Sequence, residues 1–107
     1  MRFEIVLAPQ AVEGLKTLRA DFQATVRDDI ELHLRHEPTK ASKSRIKRLR
    51  GLDRPQYRLR VNEVRVFYDV TETTVEVLAI VAKEQAKAWL AEEATPTPQG
   101  RSGEGQG

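Results

Sequence analysis

The stretch Gln56-Tyr57-Arg58-Leu59-Arg60-Val61-Asn62-Glu63-Val64-Arg65-Val66-Phe67-Tyr68-Asp69-Val70 alternates aliphatic and polar residues on both sides of Asn62-Glu63. That pattern predicts a β-hairpin with a two-residue loop. Counting outward from the loop opposes Val61 with Val64, Arg60 with Arg65, Leu59 with Val66 and Arg58 with Phe67. Arg60 and Arg65 then face each other, with Arg58 one step away on the same side. Like charges directly opposite destabilise a sheet, here by about a few tenths of a kcal/mol or more. A polyanion lying across the three guanidiniums offsets that cost, and arginine forks match phosphate oxygens two at a time. The plainer reading is a solvated outer face, where strand arginines are ordinary.

Working outward, the positive charge is concentrated around this hairpin. The whole chain of 107 residues carries a formal charge of +2. Residues 40–60 alone carry nine basic side chains (Lys40, Lys43, Arg45, Lys47, Arg48, Arg50, Arg54, Arg58 and Arg60) against Asp53, a net of +8. Such a block is the footprint of a nucleic-acid or acidic-protein partner, and it continues into the Arg58/Arg60/Arg65 face.

The same alternation organises the rest of the chain. Residues 2–7 read as a first strand. Pro9 suits the first turn of a helix. Val12, Leu15 and Leu18, then Phe22, Val26, Ile30 and Leu34, form one apolar stripe. Its length predicts two helices with a break near Arg19 to Phe22, Asp21 as an N-cap, and an end before Pro38. Residues 39–45 read as a basic loop and 46–50 as a short strand. Thr74 to Ala82 forms the last strand, and counting across the 71–74 turn pairs Val70 with Val75, Tyr68 with Val77, Val66 with Ala79 and Arg65 with Ile80.

One sheet face is therefore almost wholly apolar and is expected to carry the two helices. Tyr57 and Tyr68 fall on it and read as core residues. The opposite face mixes the arginines with Phe67, Leu78 and Ile80, which a final helix over about Lys83 to Glu93 is expected to cover. The predicted architecture is α+β: an N-terminal strand, two antiparallel helices on a mainly antiparallel sheet of about four strands, and a short C-terminal helix. Residues 1–93 form the domain. Residues 94–107 contain no large hydrophobe and are expected to be disordered.

Several function classes are excluded or disfavoured. No apolar run approaches the ~20 residues that span a bilayer, and Met1 to Leu7 is too short and charged for a secretory signal. The expected compartment is the cytoplasm, with no membrane partner. The absence of cysteine removes disulfides and thiolate metal sites. His33 and His36 make no metal site by themselves and are expected to be solvated. No metal or other cofactor is expected, and no P-loop, zinc or serine-nucleophile pattern occurs.

Leu49-Arg50-Gly51-Leu52, Tyr57-Arg58-Leu59-Arg60-Val61, Val64-Arg65-Val66-Phe67-Tyr68-Asp69-Val70 and Val77-Leu78-Ala79-Ile80 resemble the core pattern of the RelE/ParE superfamily of bacterial toxins. The resemblance covers about residues 2–93. It implies the toxin of a type II toxin–antitoxin pair, with a cognate antitoxin protein as partner. RelE-type members cut mRNA on the ribosome, without a metal, by attack of a ribose 2′-OH on the adjacent phosphorus. By position the resemblance carries catalytic roles to Arg58, Arg60, Arg65 and Lys83. The RNA-binding residues it and the charge block suggest are Lys43, Arg45, Lys47, Arg48, Arg50 and Lys87. RelE itself has lysines where Arg58 and Arg60 stand, and arginine clamps phosphate but is a poor base. The usual glycine-containing turn is replaced by Asn62-Glu63, and RelE's C-terminal arginine and tyrosine have no clear match. Trp89 offers a stacking ring or, at helical spacing, a core anchor. ParE-like members share the fold and inhibit DNA gyrase, which is the alternative function. A non-catalytic, antitoxin-binding relic is a third.

Overall fold

In the computed structural model, residues 1–98 are described. The chain runs β1 (Glu4–Leu7), α1 (Pro9–Lys16), α2 (Ala20–Leu34), β2 (Ile46–Arg48), β3 (Leu52–Arg54), β4 (Tyr57–Val61), β5 (Val64–Val70) and β6 (Thr74–Ala82). A short 3-10 turn (Lys83–Gln85), α3 (Ala86–Glu93) and β7 (Thr95–Pro96) complete it. The main sheet has five strands in the order β1-β6-β5-β4-β2, one more than about four. Among the described strands, only β1 runs parallel to its neighbour, β6.

The hairpin register matches the sequence count at all of its pairs, Arg60 opposite Arg65 included. The next register does so only in part. Val70 pairs with Val75 and Tyr68 with Val77, but Leu78 is bulged out, so Val66 pairs with Ile80 and Arg65 with Val81. An extra residue in one strand flips the side chains beyond it to the other face. Ile80 consequently joins the helix-side core in place of Ala79.

That core packs Ala11 and Leu15 of α1 and Val26, Ile30 and Leu34 of α2 against Leu59, Val61, Val64, Val66, Tyr68, Val75 and Val77. Fully burying each such aliphatic contributes roughly 1.5–3 kcal/mol. Tyr68 is fully buried and its hydroxyl donates to the Pro38 carbonyl at 2.7 Å, which satisfies the one polar atom it takes inside. Tyr57 is half-buried and stacks on Tyr68 with ring centroids 5.5 Å apart.

Pro9 opens α1 as expected. The break between the helices falls at residues 17–19, and Arg19 rather than Asp21 occupies the N-cap of α2. Asp21 sits in the first turn, accepting the Phe22 N–H at 3.0 Å and pairing with Arg19. β1 ends opposite Val77, and α1 closes over the exposed edge of β6 beyond it. The approach is so near that a Cβ on Gly14 would lie 2.1 Å from the Ile80 carbonyl oxygen. On the opposite face, Trp89 of α3 stacks on Phe67 at 4.9 Å, and its Nε1–H donates to Gln10 at 2.8 Å. Trp89 is therefore an anchor that ties α3 to both the sheet and α1.

Beyond Ala94, where disorder was expected, Thr95–Pro96 pair with Leu52–Arg54, and the Thr97 N–H bonds the Gly51 carbonyl at 3.0 Å. The rest of the expected tail, residues 99–107, lies outside the described residues.

Candidate functional site: an arginine face on the sheet

Strand pairing arranges the open face into rows. Residues paired across a sheet share a face. Lys47 of β2, Arg58 of β4 and Phe67 of β5 therefore form one row. Arg60 and Arg65 form the next. The Arg45 backbone extends that second row, because its carbonyl, one residue before the start of β2, accepts the Arg60 N–H at 2.9 Å. Three arginines and a lysine thus stand together on one side of three neighbouring strands, with the Arg45 backbone at the end of their second row and its guanidinium turned to Asp29 of α2 at 3.9 Å.

The environment of Arg58 is unfavourable to its charge. Arg58 is half-buried, and burial, then Arg65, then Arg60, disfavour its protonated form. Its buried Nε–H has no hydrogen-bond partner among the described residues. Buried donors are nearly always paired, so this Nε–H is a group that an acceptor such as a phosphate oxygen or a water would satisfy. Arg65 is tethered: its Nη1 donates to the Asn62 carbonyl at 2.9 Å and to the Val64 carbonyl at 3.1 Å. Asn62 adopts φ 53°, a left-handed conformation that asparagine tolerates better than most residues. The Asn62 turn therefore does the work that glycine would do, and it aims a carbonyl at Arg65.

Two carboxylates flank the rows. Glu63 at the hairpin tip is held by Lys83, through a 3.3 Å ion pair and the Lys83 N–H to Glu63 carbonyl bond. Asp69, one row beyond Phe67, accepts the Gln56 N–H at 2.8 Å and faces Arg54 at 3.7 Å. Burial pushes its carboxyl above the ordinary carboxylate range despite those partners. Neither is given a role by the sequence, although the hairpin count already puts Glu63 in the loop and Asp69 on the arginine face.

The other expected RNA contacts are dispersed. Lys43 is exposed in the basic loop, Arg50 in the turn before β3, and Lys87 on α3. Arg48 lies on the helix side of the sheet, its guanidinium 5.2 Å from the Tyr57 ring centroid and donating to the Gln56 carbonyl at 2.8 Å. His33 and His36 border a separate cleft of about 270 Å³ behind β2 with Lys40, Ser42 and Arg45. Among the described residues, no three His, Asp or Glu side chains converge as a bound cation would need. No helix there is long and apolar enough to cross a membrane.

No family model and no curated protein matches the chain in sequence. Solved structures do. The RelBE2 toxin–antitoxin complex of Mycobacterium tuberculosis superimposes with a TM-score of 0.58 at 21% identity, over 77% of this chain and 99% of that one. The fold is that of the RelE toxins. A chain of the archaeal RelE–RelB complex of Pyrococcus horikoshii gives a TM-score of 0.58 at 24% identity, over 78% of this chain and 97% of the matched one. The YoeB dimer of Staphylococcus aureus gives 0.56 at 19% identity, over 74% and 94%. The RelE-like architecture expected from the hairpin is thus present along most of the chain.

Proposed function

We propose that this protein is the toxin of a type II toxin–antitoxin pair, an endoribonuclease that cuts mRNA on the ribosome and is held in check by an antitoxin protein. The observation that carries the reading is the packed set Arg58, Arg60 and Arg65, with the Arg58 Nε–H unpartnered, on a RelE fold. The attack of a 2′-OH on the adjacent phosphorus places extra negative charge on the phosphoryl oxygens. Preorganised cations at that point are worth most where water is excluded. Arg58, Arg60 and Arg65 supply them, and Lys83 at the tip adds a fourth cation with a proton to give. The attacking hydroxyl must lose its proton and the departing 5′-oxygen must gain one, leaving a 2′,3′-cyclic phosphate and a free 5′-hydroxyl. We assign the first proton to Glu63 or Asp69, the carboxylates that flank the arginine rows. Such a protein acts in the cytoplasm, where its mRNA is.

The second reading is a binding toxin of the gyrase-inhibiting kind. It is favoured by the engagement of both flanking carboxylates, Glu63 by Lys83 and Asp69 by Gln56 and Arg54. Primer extension on a defined mRNA, in a purified translation system, separates the two. Cuts that need both ribosomes and the wild-type arginines support the nuclease. Intact mRNA with gyrase-dependent DNA breaks on expression supports the other.

A further inference from the structure

The nuclease reading assigns one phosphate to the arginines, yet the face offers two rows. Along β4, Arg58 and Arg60 are two residues apart, about 7 Å at the usual strand rise. The Arg58 row includes Lys47 on one side and Phe67, stacked by Trp89, on the other. The Arg60 row opens into its own cleft of about 270 Å³, lined by Ser44, Arg45, Arg60 and Asn62. Hydroxyl, amide and guanidinium donors meet there.

Arg45 is the pivot of that cleft. Its backbone is pinned opposite Arg60 by the 2.9 Å bond. Its side chain is 47% exposed and reaches back round the edge of the sheet to Asp29 of α2, at 3.9 Å. An ion pair that long and that exposed is weak. A phosphate in the cleft competes with Asp29 for the same guanidinium, with Arg60 already facing it.

We infer that the cleft of Ser44, Arg45, Arg60 and Asn62 is a second phosphate subsite. It takes the phosphate next to the reacting one, with Arg60 shared between the two, so that single-stranded RNA runs lengthwise along β4 rather than across the sheet. The inference rests on the reading of the arginine face as an RNA surface. It makes Arg45 a backbone-binding residue outside the reacting atoms, and Asp29 a competitor that weakens RNA binding.

The test is equilibrium binding of 2′-O-methyl oligonucleotides, which are not cleaved, at several salt concentrations. The proteins are wild type, Arg45→Ala, Asp29→Asn and, as a control on the α1–α2 connection, Arg19→Ala. Single-stranded binding loses about 0.7 of logarithmic salt slope per phosphate contact removed. Arg45→Ala is expected to lower the slope by about that much and weaken binding roughly tenfold. Asp29→Asn is expected to tighten binding by about two- to threefold. Arg19→Ala should match wild type. Going from a dinucleoside monophosphate to a trinucleoside diphosphate should raise wild-type affinity and raise that of Arg45→Ala much less. Wild-type binding with an unchanged Arg45→Ala slope and length dependence overturns the second subsite while leaving the RNA surface standing. Absence of any wild-type RNA binding overturns the RNA surface and the subsite together.

Discussion

The two faces of the sheet obey opposite rules. On the helix side, Leu59, Val61, Val64, Val66 and Tyr68 are buried and mutually compatible, and the polar hydroxyl among them has a partner. On the open side, the alternate residues of the same strands, Arg58, Arg60 and Arg65, crowd like charges and leave a buried donor unpaired. β4 therefore contributes stability through its odd-numbered Leu59 and Val61 and forgoes it through its even-numbered Arg58 and Arg60. Proteins tolerate such local conflict where a ligand resolves it. Helix-side substitutions should cost folding, while open-side substitutions should cost function and leave folding intact or improved.

The largest expected effect is on the helix side. Tyr68→Ala should destabilise the protein by about 3–5 kcal/mol through the cavity it leaves, measured by urea denaturation. Tyr68→Phe should cost less, about 1–3 kcal/mol, for the Pro38 carbonyl left without its donor. A folded Tyr68→Phe protein that had lost RNA binding would place a functional group on the wrong face and break the contrast. Gly14→Ala comes next. The new methyl collides with the Ile80 carbonyl, and a loss of about 1–3 kcal/mol is expected, seen as a lowered melting temperature. An unchanged melting temperature would show that α1 rides off β6 freely.

Asp69 sharpens the contrast at the far end of the open face. Burial raises its pKa in the folded state, so the folded protein holds that proton more tightly than the unfolded chain. The stability from this term is complete below the ordinary carboxylate pKa and is lost as pH rises through the raised folded value. Asp69→Asn removes the decline, so the variant should gain on wild type from acid to neutral pH in chemical denaturation. A difference that stays flat with pH would mean that Asp69 ionises as an ordinary carboxylate. The smallest effect is on the open face: Arg60→Gln relieves the repulsion with Arg65 and should raise stability by about a few tenths of a kcal/mol.

The hairpin and its arginine pairing were legible because a two-residue loop between alternating runs leaves one register that keeps the aliphatics together. The β5–β6 register was legible only near its turn. Val77-Leu78-Ala79-Ile80-Val81 is apolar throughout, since both faces are covered there, and a continuous run carries no alternation from which to detect a bulge. β3 and β7 escaped notice because Leu52-Asp53-Arg54 and Thr95-Pro96 are short and polar and pair only through the path that α3 takes. Within the site, Arg58, Arg60 and Arg65 could be placed from local counting. Glu63 beside Lys83, and Arg45 between Asp29 and Arg60, depend on contacts between distant segments that no local pattern encodes.

The most direct measurement uses one preparation of Arg58→Gln protein for two readings, its unfolding free energy in urea and its cleavage of a defined mRNA in a purified translation system. If the open face exists for RNA, the variant is as stable as wild type or slightly more so, and it produces no cuts. Cuts at the wild-type level would contradict that account. So would a loss of stability in step with a loss of cleavage, which would make Arg58 a structural residue.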